Sequence, residues 1–125
     1  MRQVLSIVFL AGIACGAARA VEIKEVAPGV HFRLGDLARR QSNGGFIVCG
    51  DHVVAIEAPS AEASNEMLAE VKKLTDKPIR FLVITHGHWD HDGGLEVFTQ
   101  SGVTVIVHDK LQQLIANAAL WCSGL

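Results

Sequence analysis

The sequence predicts a layered α/β protein, and three observations support this class. Short apolar runs joined by tight polar turns indicate a β-hairpin, residues 61–74 have a helical period, and two later runs are almost continuously apolar. Continuous runs of this kind are typical of strands in a sheet that is layered with helices. Half of the 125 residues are hydrophobic and 19% are charged, a composition typical of globular and not of disordered chains.

We expect the first 20 residues to be a signal peptide and not part of the fold. Arg2 provides a positive start, residues 4–18 are apolar, and Ala18-Arg19-Ala20 places small residues before a cleavage site at Val21. The apolar run of about 15 residues is shorter than the roughly 20 that span a bilayer. An uncleaved anchor is the alternative. The pattern therefore predicts export to the periplasm or medium, with residues 21–125 as the mature domain and no stable membrane span after cleavage.

Charge and cysteine content narrow the function classes. The chain has 11 Lys and Arg against 13 Asp and Glu, and its basic residues form no run longer than two, which argues against a nucleic-acid-binding protein. After cleavage, Cys49 and Cys122 are the remaining thiols. Two cysteines do not define a disulfide framework, so a bridge between them and two free thiols both remain open.

The N-terminal part of the mature chain reads as strands. Pro28-Gly29 predicts a turn, and the alternating Val30, Phe32 and Leu34 after it predict a half-buried strand. Residues 46–49 and 53–56 are short apolar runs on either side of the polar turn at residues 50–52. Two such runs predict a β-hairpin.

Residues 61–74 are predicted to form the first helix. Met67, Leu68, Val71 and Leu74 fall on one helical face, and the helix is expected to stop before Lys77-Pro78 because proline disfavours a helical residue before it. The remaining elements are predicted as a buried strand over residues 80–85, a short helix over 95–98, a second buried strand over 103–107 and a last helix. The N-cap of this last helix is predicted at Asp109, and Leu111, Leu114 and Ile115 are predicted on its apolar face. The predicted order is β-β-β-α-β-α-β-α.

Titratable side chains are concentrated directly after the first buried strand. The segment His86-Gly87-His88-Trp89-Asp90-His91-Asp92 places three imidazoles and two carboxylates within seven residues. Side chains two positions apart on an extended chain point the same way, so His86 and His88 can bind one ion, and Asp90 and His91 can turn toward a second. These ligand types suit zinc, iron or manganese, of which zinc is the commonest. The segment therefore predicts a metal site.

The HxHxDH pattern with its two trailing glycines, after the strand Phe81-Leu82-Val83-Ile84-Thr85, resembles the metallo-β-lactamase superfamily. The resemblance extends over roughly Val26 to Leu114, where residues 26–30 resemble the family's opening strand. It implies an αββα sandwich of two pseudo-symmetric halves, of which this chain contains the first. By position, His86 and His88 would bind the first of two zinc ions, and Asp90 and His91 the second. Asp90 would also be the catalytic residue that orients a metal-bound water or accepts its proton.

The resemblance implies metal-assisted hydrolysis of a small molecule. The candidate substrates are an amide such as a β-lactam, a lactone, and a thioester. Two departures matter. The family takes a third histidine, a bridging carboxylate and a last histidine from well downstream, whereas here only His108 follows, at a position that is generally not a ligand. Glu57 stands where the family usually has an Asp that supports the motif loop.

The missing ligands leave an alternative open. The chain could be a truncated, non-catalytic metal-binding remnant of such a hydrolase. A half-sandwich should also expose apolar surface that a second half would cover, so we expect self-association through that face.

Overall fold

Six strands form one mixed sheet, in the order β1-β2-β3-β4-β5-β6, in a computed structural model that describes residues 22–113. Neighbours from β1 to β4 pair antiparallel, and β4–β5 and β5–β6 pair parallel. The α/β class is thus confirmed. The strands are β1 (Ile23–Ala27), β2 (Val30–Arg33), β3 (Gly44–Val48), β4 (Val53–Ile56), β5 (Ile79–Ile84) and β6 (Thr104–Val107), and the helices are α1 (Ala61–Leu74), α2 (Trp89–Asp92) and α3 (Leu95–Thr99), with a 3-10 turn at Leu37–Arg39.

Several sequence predictions lie outside the described residues. They are the signal peptide, Cys122, and the last-helix residues Leu114 and Ile115. Within residues 22–113, no helix combines the length and the apolar character needed to cross a membrane.

Residues 26–30 do not form a single opening strand, as the resemblance suggested, because they enclose a turn. β1 and β2 pair as a hairpin around Pro28-Gly29, and Gly29 has a φ of 73°. A Cβ at Gly29 would lie 2.9 Å from the carbonyl oxygen of Val48, and a positive φ is rare for residues with a side chain. The turn therefore requires glycine both for its conformation and for the close approach of β3.

The strand predicted from Val30 is present, but its apolar face does not point to the core. Phe32 is 37% exposed and Leu34 48%, whereas Arg33 between them is 1% exposed. Arg33 Nη2 donates to Gln41 Oε1 at 2.7 Å and to Glu66 Oε2 at 3.2 Å. A buried guanidinium with these acceptors holds β2 against α1, an arrangement that hydrophobic alternation does not reveal.

The predicted hairpin and first helix are confirmed. β3 and β4 pair antiparallel, and the Cys49 amide donates to the His52 carbonyl across the turn at 2.8 Å. Cys49 is a half-buried free thiol. Ser60 caps α1 by accepting a hydrogen bond from the Ala63 amide, and Met67 and Val71 are buried against the sheet.

Leu74 is the exception on α1, because it is 54% exposed. The buried positions of the helix are 63, 64, 67 and 71, and the same stripe continues at the half-buried Thr75 and not at position 74. The prediction that Leu74 belongs to the apolar face is therefore wrong, and α1 ends one residue before the stripe returns to the core.

β5 and β6 are covered on one face within the described residues, not on both. Leu82 and Ile84 are buried in the core, whereas Phe81 and Val83 are half-buried and Ile106 of β6 is 47% exposed. The buried side chains of the described helices join Leu82 and Ile84 in one core cluster, which corrects the prediction that both strands are buried on both faces. The core cluster consists of Phe46, Val53, Ala55, Ala58, Met67, Val71, Leu82, Ile84, Phe98, Val103 and Leu111.

The opposite side of the sheet, which we call the outer face, is apolar. The pairing register places Phe32, Gly45, Ile56, Val83 and Ile106 in one row across β2 to β6. Each of the four apolar side chains in this row is half-buried or exposed. A neighbouring row on the same face contains Val30, Ile47, Val54, Phe81 and Thr104.

The last helix begins one residue earlier than predicted. Residues 109–113 are helical, so Asp109 lies inside the helix and is not its N-cap. His108 occupies that place, because its Nδ1 accepts from the Lys110 amide at 3.2 Å and its carbonyl accepts from the Leu111 amide at 2.8 Å.

Candidate metal centre

The site lies where two parallel strands end. Glu57 directly follows β4, and Thr85-His86 follow β5, so both segments emerge at the same edge of the sheet. The Glu57 amide donates to the Val83 carbonyl at 2.9 Å, and Glu57 adopts a left-handed φ of 64°. A glutamate in this sparsely populated region is held there by its surroundings, and such strain is concentrated at functional sites.

The second wall of the site is α2, a short helix within the metal motif that the sequence pattern did not predict. His88 precedes this helix, and its carbonyl accepts from the amides of His91 at 2.8 Å and Asp92 at 3.0 Å. The Ala58 amide donates to the His91 carbonyl at 2.8 Å, and the Gly94 amide donates to the Ala58 carbonyl at 2.7 Å. The end of β4 and the motif helix are thereby joined by backbone hydrogen bonds on both sides of Ala58.

Of the four residues predicted as metal ligands, His86 and His91 belong to one group of converging ligand atoms, whereas His88 and Asp90 lie beside that group and are not part of it. The ring centroid of His86 lies 3.9 Å from that of His91 and 4.8 Å from that of His88. Asp90 Oδ2 lies 3.7 Å from His91 Nε2. Three imidazoles and a carboxylate thus share one end of the sheet. Their roles as ligands, and the catalytic role of Asp90, stay predictions.

Glu57 contacts the histidines of this cluster, whereas the sequence indicated only a carboxylate that supports the motif loop. Its Oε2 lies 3.3 Å from His91 Nδ1, and its Oε1 accepts from the Thr85 hydroxyl at 2.5 Å. Thr85 Oγ1 is in turn 2.9 Å from His86 Nδ1. Glu57, His86 and His91 each offer one ligand atom, and these three atoms all lie within 4.8 Å of one another.

The residues present fit a metal ion. Glu57 Oε2 and His91 Nδ1 are both buried, and neither makes a hydrogen bond within the part of the chain that the structure describes. Burying an unpaired carboxylate oxygen and a ring nitrogen is costly, and a cation between them would satisfy both. One carboxylate and several imidazoles form a donor set that suits zinc.

Other residues near the motif have different surroundings. Trp89 is 58% exposed and does not pack in the core. His108 is occupied in capping the last helix and is not part of the three-ligand group. Ser42, from the loop before β3, donates a hydrogen bond to the Asp90 carbonyl. Nothing in the linear pattern indicated this contact, because the two residues are 48 positions apart.

A short local match exists to a curated protein. It is a linear primary-alkylsulfatase from Pseudomonas sp. (strain ATCC 19151), which is 39% identical over 46 residues. The match covers 37% of this chain and 9% of that protein.

Solved structures match over a larger part of the chain. A metallo-β-lactamase from Hirschia baltica has a TM-score of 0.68 and 27% sequence identity, over 81% of this chain and 49% of its own. A second, from Erythrobacter litoralis, has a TM-score of 0.67 and 25% identity, over 80% of this chain and 46% of its own. The chain therefore spans about half the length of the solved structures that it matches.

A mixed sheet that places histidines and carboxylates at the ends of its parallel strands defines an α/β protein with a candidate metal centre. The sequence model of the metallo-β-lactamase superfamily matches residues 38–121, which is more than half of the chain. The chain belongs to the metallo-β-lactamase superfamily, and its fold is a partial domain of that type. This confirms the resemblance seen in the HxHxDH motif.

Proposed function

We propose that this chain carries the first half of a zinc-dependent hydrolase. The observation that carries the proposal is the convergence of His86, His88 and His91 at the end of β5, with ring centroids 3.9 and 4.8 Å apart. Three imidazoles and two carboxylates placed this closely form a donor set that suits a zinc site. Membership of the superfamily supports the same reaction class.

Each motif residue has a proposed place. His86 and His88 would hold a first zinc, and Asp90 and His91 a second, in the complete site. Zinc bound there would act as a Lewis acid and supply a hydroxide nucleophile near neutral pH. The Asp90 carboxylate, 36% exposed and therefore accessible to water, would orient the attacking water and accept its proton. Its position depends on the loop before β3, because the Ser42 hydroxyl donates a hydrogen bond to the Asp90 carbonyl.

The proposed substrate is a small molecule with an amide, lactone or thioester carbonyl, including a β-lactam. The solved neighbours are β-lactamases by name, and they support the first of these classes. The local match to an alkylsulfatase adds a sulfate ester to the substrates that need to be tested. This chain contains the metal motif, whereas the surfaces around the motif would determine which substrate is bound.

A second candidate function is a metal-binding remnant without turnover. A catalytic zinc normally has three protein ligands and one open position, whereas His86 and His88 alone give the first ion two.

We also propose that residues 1–20 direct export, so that the site works in the periplasm or outside the cell. Fusion of residues 1–20 to a reporter that is active only after export would test this.

Zinc analysis together with hydrolysis assays tests the proposal. The 125-residue chain, His86→Ala and the control His52→Ala would be dialysed against Zn²⁺ and assayed with nitrocefin, a lactone, a thioester and an alkyl sulfate. His52 is a suitable control because it contacts Asp51 and Phe81 away from the motif. We expect zinc in the wild type and in His52→Ala, and its loss in His86→Ala.

The outcomes separate the two candidates. Turnover that disappears with EDTA and with His86→Ala supports the hydrolase, whereas bound zinc without turnover of any substrate supports the remnant. A wild-type chain that binds no zinc contradicts both.

A further inference from the structure

We propose that Glu57 is itself a metal ligand and that Glu57, His86 and His91 together hold one ion. This inference rests on the proposed metal dependence but goes beyond it, since Glu57 lies outside the HxHxDH motif. The three ligand atoms lie within 4.8 Å of one another. In the part of the chain that the structure describes, this grouping places His86 and His91 on the same ion, unlike the two-ion assignment for the complete site, and it gives that ion three protein ligands.

The first argument is the state of the Glu57 carboxylate. The residue is 5% exposed, and its two oxygens differ in their surroundings. Oε1 accepts from the Thr85 hydroxyl at 2.5 Å and from the Thr85 amide at 3.3 Å. Oε2 accepts nothing from residues 22–113, although it is buried. A carboxylate held on one side and left open on the other is arranged to bind a cation with its free oxygen.

The second argument is the relation between Glu57 and His91. Glu57 Oε2 and His91 Nδ1 are 3.3 Å apart, and both count among the buried atoms without a hydrogen-bond partner in the described part of the chain. Two ligand atoms bound at about 2.0–2.2 Å to a tetrahedral zinc lie roughly 3.3–3.4 Å from each other. The separation therefore equals that of two ligands of one ion, while the orientation does not give a hydrogen bond between them.

The third argument is that the Thr85 hydroxyl forms hydrogen bonds with both Glu57 and His86 and orients them. Its hydroxyl hydrogen is donated to Glu57 Oε1, so its oxygen accepts from His86 Nδ1–H at 2.9 Å. With the proton on Nδ1, the Nε2 lone pair of His86 is free for a metal. An outer hydrogen bond that fixes the tautomer and orientation of a metal-binding histidine is a common feature of metal sites. Thr85 therefore acts as a positioning residue for two ligands at once.

The length of the side chain is the fourth argument. The superfamily usually has an aspartate at this position, and an aspartate would draw the carboxylate back by about 1.5 Å, one carbon–carbon bond. From the same backbone, the shorter side chain could support the loop but would not place an oxygen 3.3 Å from His91 Nδ1. The extra methylene is thus what converts a supporting carboxylate into a ligand.

The test measures metal binding by Glu57→Asp and Glu57→Gln in the full 125-residue chain. Glu57→Asp keeps the charge and tolerates the left-handed backbone, and Glu57→Gln keeps the length but removes the charge. Glu96→Gln is the matched control, because Glu96 is exposed and its carboxylate accepts a hydrogen bond from Gln100 at the C-terminal end of α3. The readouts are the Zn²⁺ dissociation constant, by competition with a chelating dye, and the visible absorption spectrum of the Co²⁺-loaded protein. Far-UV circular dichroism of the metal-free variants checks the fold.

If Glu57 is a ligand, both substitutions weaken Zn²⁺ binding by more than the roughly 10–100-fold that accompanies loss of an outer partner. Both also change the Co²⁺ spectrum, and Glu96→Gln leaves both readouts at the wild-type value. Wild-type affinity and spectrum in Glu57→Asp would overturn the inference and leave Glu57 as a supporting residue. In that case zinc binding by the wild type, abolished by His86→Ala, would keep the proposed function intact. A wild-type chain that binds neither metal would contradict both proposals.

Discussion

The Ser42 hydroxyl donates a hydrogen bond to the backbone carbonyl of Asp90, and so joins the loop before β3 to the metal motif. We expect Ser42→Ala to weaken Zn²⁺ binding by roughly 2- to 10-fold, the equivalent of the 0.5–1.5 kcal/mol of one hydrogen bond. The fold should be retained, because the substitution removes one hydroxyl, which also contacts the neighbouring Asn43 carbonyl, and creates no clash. Isothermal titration with Zn²⁺ would measure the change.

Ser101→Ala provides the control for this prediction. Ser101 also donates its hydroxyl to a backbone carbonyl, that of Val97, but at an exposed position away from the motif. Its substitution should leave the affinity unchanged. Equal affinities for Ser42→Ala and the wild type would show that the loop does not position Asp90.

Gly94 is expected to be intolerant of any side chain. A Cβ there would lie 2.1 Å from Ser64 Oγ and 2.4 Å from the Ser60 carbonyl oxygen, which is backbone at the start of α1. Gly94→Ala should therefore destabilise the chain by about 1–3 kcal/mol or more, since the helix start must move. It should also loosen α2, because the Gly94 amide is bonded to Ala58. Urea unfolding followed by circular dichroism would measure the loss.

The matched substitution is Gly50→Ala in the β3–β4 turn. A Cβ at Gly50 meets nothing within 4 Å, and its φ is not in the positive range. Its free energy of unfolding should change by at most about 0.5 kcal/mol, as at ordinary surface positions. Similar unfolding curves for the two variants would mean that the approach of Gly94 to the start of α1 is looser than the structure shows.

Most of the element boundaries follow from local patterns. Ser60, the apolar spacing and Pro78 define α1 without reference to the rest of the chain, and the polar turn at residues 50–52 defines the β3–β4 hairpin. The position of the motif after β5 follows in the same way. These features depend on interactions between residues close in sequence, which is why periodicity and capping reveal them.

What could not be predicted depends on contacts between distant residues. Arg33 is buried because Gln41 and Glu66 accept from it, and Glu57 enters the metal site because β4 pairs with β5. The exposure of Ile106 depends on which face the helices cover. The spacing of residues along the chain contains no information on these pairings, although a glutamate at a strand end before a histidine motif was a usable signal.

Asp51 is expected to make a small contribution to stability that depends on pH. The hydrogen bond from His52, and secondly the positive charge of Arg80, hold the pKa of Asp51 below its ordinary value of 3.8. A carboxyl whose pKa is lowered by folding stabilises the native state above the unfolded value, and this contribution is lost as the pH falls through the folded pKa. At pH values above 3.8, Asp51→Asn should therefore have a slightly lower thermal midpoint than the wild type. The difference between the two midpoints should shrink as the pH falls below 3.8.

Differential scanning fluorimetry between pH 3 and pH 7 would measure this effect, with the exposed Asp76→Asn as the control. The difference should also decrease at high salt, because the charge of Arg80 is screened at the surface. A gap between the Asp51→Asn and wild-type midpoints that widens toward low pH would contradict the assigned sign.

The outer face should make the chain self-associate. Phe32, Ile56, Val83 and Ile106 form one apolar row across the sheet, and none of the four belongs to the core cluster of the described residues. Apolar patches of this extent are uncommon on monomeric proteins, so a second copy is the occupant we expect. Sedimentation velocity over a range of concentrations should show dimers or larger species.

Ile106→Lys tests this face directly, because Ile106 is 47% exposed and a charge at that position cannot be buried against a partner without cost. We expect the variant to shift toward monomer by at least about tenfold in dissociation constant, since each 1.4 kcal/mol corresponds to one factor of ten. Leu74→Lys is the control, as Leu74 is 54% exposed but lies at the end of α1, away from the sheet. If both variants weaken association equally, the contact is general hydrophobic aggregation; a dilute monomer in the wild type would exclude the outer face as an interface between copies of this chain.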